Sequence, residues 1–271
     1  MKKFAAIALV LVMALGFAAC GQEAQQPDDN QGGEETTKIV LGTSADYPPF
    51  EFQYVDDNGD KQYAGIDISV AKQIAADMGK ELEISDMNFD NLITLLAKGD
   101  CDMVIAAMEQ DPERLENASC SDPYYTDLPA MIVVKKDNLD QYKSLADFDG
   151  KVIGAQTGTT KADIVTDEMT GATPNLMTSV VDRVNSLVYD KVDALVLDGA
   201  VAQSYVESNP ELAIVEAVPL GEALPYCVWV AKDDPKGLLP SINETIAKIT
   251  TDGSIDNYVA EADELSAKAA E

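Results

Sequence analysis

Histidine is absent from all 271 residues of this chain. That absence excludes Ser–His nucleophilic catalysis and ordinary zinc sites together. Cations are scarce: 19 Lys and Arg stand against 48 Asp and Glu, for a net charge of −29. A surface so acidic excludes nucleic acid as a partner, and its plain physical use is solubility and colloidal repulsion. Cysteine occurs four times. Apart from Cys20, the residues Cys101, Cys120 and Cys227 match no metal-ligand spacing, so neither a metal nor a cofactor is expected. Their odd number permits at most one disulfide, and the apolar contexts of Cys120 and Cys227 predict buried thiols. Long apolar runs are missing after the first twenty residues, while 46% hydrophobic composition is enough to fill real cores.

The N-terminus carries Lys2 and Lys3, then the apolar segment Ala5 to Ala19, then Phe17-Ala18-Ala19-Cys20. A basic start, a short apolar stretch and small residues make a secretory signal. The competing reading is a retained membrane helix, for which the segment is short. The cysteine makes the pattern resemble a bacterial lipoprotein signal. That resemblance implies removal of residues 1–19 and lipidation of Cys20, with two lipid groups for stable anchoring. Residues 20–37 then form a tether, because Gly21 to Thr37 holds no large apolar side chain to offset its ordering entropy. The expected location is the outer face of the cell membrane, within the cell envelope.

The stretch Phe89 to Tyr125, FDNLITLLAKGDCDMVIAAMEQDPERLENASCSDPYY, holds the densest information. Leu92, Leu95 and Leu96 share one helical face, closed by Lys98-Gly99. Met103 to Ala107 is continuously apolar, as in a strand covered on both faces. Asp111 caps a second helix that Pro112 opens. Chemistry therefore gathers at the carboxyl end of a buried strand, where open α/β sheets bind ligands.

The two halves of the chain repeat this order. Leu95 to Glu109 is answered by Leu187 to Ala200, each ending in an apolar strand that delivers an acidic residue. Ile39 to Ser44 is likewise answered by Val152 to Gly158. Ile68, Ala71, Ile74, Ala75 and Met78 mark an amphipathic helix between strands. Two α/β lobes facing each other across strand-end loops make a ligand cleft. The final segment, with a strand at Cys227 to Val230 and helices around residues 238–250 and 254–261, returns to the first lobe. Lobe 1 is thus expected at 38–125 plus 226–271 and lobe 2 at 126–225.

The words GTSADYPPFEF, GIDISVAKQIA, FDNLITLLAKGDCDMVIAAM, DPER, SDPYY and GAQTGTT, in this order over about Lys38 to Glu261, resemble the family 3 extracellular solute-binding proteins of polar amino-acid ABC transporters. The resemblance implies a two-lobed periplasmic-binding-protein fold of type II that closes on its ligand by hinge bending. It implies a monomer that delivers an amino acid, or a related amine, to a membrane permease driven by an ATPase. By the family pattern Tyr47 and Phe89 are the aromatic walls of the site. Arg114 grips the ligand carboxylate through two parallel bonds, which lysine cannot form. Thr160, near a helix start, adds a donor to the same carboxylate. Asp198 receives the α-ammonium with the carbonyl of Ala107. Met108, Gln156 and Ser44 belong to the same ligand-binding set, with Gln156 at a variable side-chain position.

Two positions depart from the pattern. Glu109 stands where relatives usually offer serine or threonine, and its charge must meet Arg114 or a ligand cation unless it faces solvent. Ser44 replaces an aspartate that many relatives place against the ligand side chain. Duller readings compete: Tyr47 and Phe89 can be core residues, Asp198 can cap the helix after it, and Asp67 and Asp90 read as helix caps. The expected protein is a non-enzymatic receptor. Its alternatives are a cyclic-carboxylate dehydratase on the same fold, with Glu109 as general acid, and a subunit presenting ligand to a sensor kinase.

Overall fold

A computed structural model describes residues 37–269; the expected signal, the lipidation site Cys20 and the tether as far as residue 36 lie outside them. Two five-stranded sheets organise the chain. In the first, β1 (Lys38–Thr43) lies between β5 (Glu81–Asp86) and β6 (Met103–Val104), parallel to both. β13 (Pro225–Ala231) runs antiparallel to β6, and β7 (Ala118–Thr126) pairs antiparallel with β13 at the sheet edge. The second sheet repeats the plan. β9 (Val152–Gln156) lies between β10 (Thr173–Met177) and β11 (Ala194–Leu197), parallel to both. Antiparallel β8 (Met131–Lys135) and β12 (Leu212–Ile214) extend it. A small meander of β2 (Asp46–Tyr47), β3 (Glu51–Val55) and β4 (Lys61–Ala64) follows β1. The architecture is the two-lobed α/β fold, and the repeat read from the sequence is visible as the same strand order in both sheets.

Helices connect the strands where the apolar spacing places them. α1 (Ile66–Asp77) buries Ile68, Ala71, Ile74 and Ala75. α2 (Leu92–Lys98) buries Leu92 and Leu96 and ends on Gly99, whose φ of 83° supplies the left-handed C-cap. α3 (Pro112–Asn117) begins on Asp111, whose carboxylate accepts from the Glu113 amide at 3.2 Å. α4 (Thr160–Asp163), α5 (Val180–Val188) and α6 (Gly199–Ser208) belong to the second sheet's connections, and α7 (Leu239–Ile249) and α8 (Ser254–Ala269) follow β13.

Four expectations are corrected here. The strand expected over Met103 to Ala107 is regular only at Met103–Val104. The Ile105 amide still donates to the Gly42 carbonyl at 3.2 Å, but Ala107 turns into the left-handed region at φ 46° before bridging resumes between Glu109 and Tyr226. Asp67 is no cap. It is fully buried in α1, where its carboxylate accepts the Ala107 amide at 2.5 Å and the Tyr124 hydroxyl at 2.7 Å. Burial pushes its carboxyl up to about 6. Asp90 is exposed and makes no cap bond, since it lies inside a short 3₁₀ turn rather than before it. Among the described residues Cys101, Cys120 and Cys227 are free thiols, but Cys120 is only half-buried, on the edge strand β7.

The chain crosses between sheets after β7 and returns before β13. Asp127, in the outgoing crossing, accepts from the amides of Leu128 at 2.7 Å and Ala200 at 3.2 Å, and from the Tyr226 hydroxyl at 3.2 Å. Gly199 lets α6 approach this crossing: a Cβ there would lie 2.4 Å from that of Leu128.

Candidate binding cleft

The carboxyl ends of strands from both sheets converge on one narrow cavity of about 10 Å³. Ser44, Tyr47, Phe89, Ala107, Glu109, Arg114, Gln156 and Asp198 line it, together with Glu51, Ala106, Thr159 and Lys161. Local structure explains the placement. Tyr47 is the last residue of β2, Asp198 follows β11, and Thr159 caps α4 with its own side chain. Met108 is the one expected residue that the fold turns away. Its side chain packs with Leu92 and Trp229, and its carbonyl accepts the Trp229 indole N–H at 3.2 Å. Thr160 is not itself a lining residue and reaches the cavity through Glu109, to which its hydroxyl donates.

Arg114 comes from the first-sheet side. Its two terminal nitrogens donate to the carbonyls of Glu109 at 3.0 Å and Gly158 at 3.1 Å, so one guanidinium bridges the two halves. The same group stacks over Phe89 at 5.5 Å. Burial holds its pKa below the ordinary arginine value, with Asp111 and Glu109 opposing that shift. Asp198 stands at the N-cap position of α6 yet makes no cap bond; Asp127 takes that work through Ala200. Its carboxylate instead accepts from the hydroxyls of Tyr47 at 2.5 Å and Tyr226 at 2.9 Å. Burial first, and the Asp198 charge second, push both tyrosine pKa values well up, so the phenols stay protonated donors.

Glu109 does face the cleft, and among the described side chains its charged partner is Lys161 rather than Arg114. Lys161 bonds it at 2.9 Å and bonds Asp198 as well. Burial alone would lower the lysine pKa; the Asp198 and Glu109 carboxylates outweigh it and raise the value. The sequence reading missed Lys161. Its one signal was its place directly after Thr160, a residue the family pattern had put in the site. Glu51 was missed too, although it lies within the word YPPFEF. It is 1% exposed, its Oε2 has no hydrogen-bond partner, and burial followed by the Asp67 charge holds its carboxyl well above the usual range. Arg183, buried on α5, lies over the Tyr47 ring at 6.0 Å. Among the described residues no group of three or more acidic or cysteine side chains is arranged to hold a metal ion. The cleft presents two fixed cations, two fixed anions and one further buried carboxyl.

The chain matches the bacterial extracellular solute-binding proteins, family 3, over residues 39–261. It is 35% identical over 216 residues to the arginine-binding extracellular protein ArtP of Bacillus subtilis, covering 78% of this chain and 79% of that protein. Over 229 residues it is 32% identical to ABC transporter arginine-binding protein 1 of Escherichia coli, covering 82% and 89%. Its fold is similar to the crystal structure of the amino acid ABC transporter substrate-binding protein AbpA of Streptococcus pneumoniae bound to L-arginine. There the TM-score is 0.80 at 33% identity, covering 85% of this chain and 96% of that one.

Proposed function

Because this chain belongs to the bacterial extracellular solute-binding proteins of family 3, we propose that it captures a cationic amino acid of the arginine class in this cleft and hands it to an ABC permease. The observation that carries the reading is Arg114 and Asp198 facing one cavity from opposite sheets, between the rings of Tyr47 and Phe89. Arg114 takes the α-carboxylate with Thr160, and Asp198 takes the α-ammonium with the carbonyl of Ala107. Ser44 and Gln156 border the ligand side chain. Arg114 and Lys161 balance Glu109 and Asp198 in charge, which leaves Glu51 as the carboxyl that ionises against a ligand cation. Lobe 1 comprises residues 38–125 with 226–271 and lobe 2 residues 126–225, bending at the two crossings. Catalysis is not part of the reading: both oxygens of Glu109 are engaged, by Thr160 and Lys161, so it is no poised acid.

Calorimetry with arginine, lysine, glutamine and glutamate is expected to show arginine binding most tightly. Small-angle scattering at saturating arginine should give the radius of gyration of a closed form. Absence of binding to all four sinks the reading. The membrane attachment is tested apart from it. Cys20→Ala should abolish incorporation of a labelled fatty acid and release the protein into the medium; unchanged labelling would refute lipidation at Cys20.

A further inference from the structure

Lys161 is 4% exposed on the one-turn helix α4, where burial disfavours a cation. Its stem and charge are held there by two carboxylates, Glu109 at 2.9 Å and Asp198. Glu109 in turn accepts the Thr160 hydroxyl. These are the partners assigned above to an amino acid: Thr160 for its carboxylate and Asp198 for its ammonium. A protein ammonium thus fills the ammonium subsite, and a protein carboxylate takes the Thr160 hydroxyl of the carboxylate subsite. Arg114 rests on the backbone carbonyls of Glu109 and Gly158, while Glu109 and Lys161 come from opposite sheets. The remaining 10 Å³ has room for about one water molecule.

We propose that Glu109 and Lys161 form a built-in surrogate for the bound amino acid, a latch that closes the cleft on itself and that ligand opens by displacing Lys161 from Asp198. Lysine suits the role because its four-carbon stem can withdraw the ammonium while Glu109 remains its counterion. A rigid, bidentate arginine would not release so readily. The inference rests on the amino-acid reading of the cleft. It adds that apparent affinity is the intrinsic affinity reduced by the fraction of molecules with the latch open.

The test is the pair of substitutions Lys161→Met and Glu109→Thr, which removes the Glu109–Lys161 pair together and leaves Asp198 with the hydroxyls of Tyr47 and Tyr226. Thermal unfolding first establishes that the double variant folds. Without added amino acid, its radius of gyration is expected to exceed that of the wild type. Arginine should then bind it roughly tenfold more tightly, if the latched form outnumbers the open one by about that ratio. Lys161→Met alone strands Glu109 and should bind less tightly than the double variant. An unchanged radius of gyration overturns the latch. Weaker arginine binding by the double variant than by the wild type overturns it also, since Lys161 would then be a ligand contact. If the double variant opens but neither protein binds any amino acid, the latch stands and the amino-acid assignment falls.

Discussion

Asp198→Asn weakens arginine binding by about 2–5 kcal/mol, the usual cost of leaving one partner of a buried charge pair without the other. The side chain is 7% exposed, so water cannot replace the lost charge. Asparagine keeps the shape but turns one acceptor into a donor, among two tyrosine hydroxyls and an ammonium that all donate. One effect runs the other way: Lys161 loses a counterion and competes less. A tenfold relief is about 1.4 kcal/mol, too small to reverse the sign. Titration calorimetry decides it, and unchanged affinity would show that Asp198 does not hold the ligand ammonium.

Trp229→Ala is expected to cost about 3–5 kcal/mol of folding stability. The residue is the chain's single tryptophan and is fully buried on β13, against Leu92, Leu96 and Met108. Truncation opens a cavity and strips the Met108 carbonyl of its indole partner. Trp229→Phe keeps most of the volume and should cost nearer 1 kcal/mol for the hydrogen bond with some packing loss. Because the only tryptophan is removed, urea unfolding is followed by circular dichroism. A loss below about 1 kcal/mol for the alanine variant would mean that the site collapses without a cavity.

Strand-end chemistry was legible where side-chain type and chain order decided the outcome. Arg114, Asp198, Tyr47 and Phe89 line one cavity, and these are residues that the family resemblance had named. Backbone conformation was not legible: the positive φ of Ala107 interrupts the extended run before bridging resumes between Glu109 and Tyr226, and nothing in an apolar run announces that turn. Asp67 looked like a cap because Asp near a helix start usually is one. Its true partners, Ala107 and Tyr124, are 40 and 57 residues away in sequence. The same distance hid Lys161 from Glu109. Each is an unfavourable charge by itself, and only folding shows that the two cancel.

Asp127 adds a mechanical consequence. One carboxylate ties the outgoing crossing to the first turn of α6 and, through Tyr226, to the returning strand. Gly199 presses that helix against Leu128. The crossing is thus tied directly to α6, and Asp198 sits one residue before that helix begins. On the proposed reading, in which the chain bends at this crossing and Asp198 holds the ligand ammonium, a small angular change there would reposition the Asp198 carboxylate at the cleft.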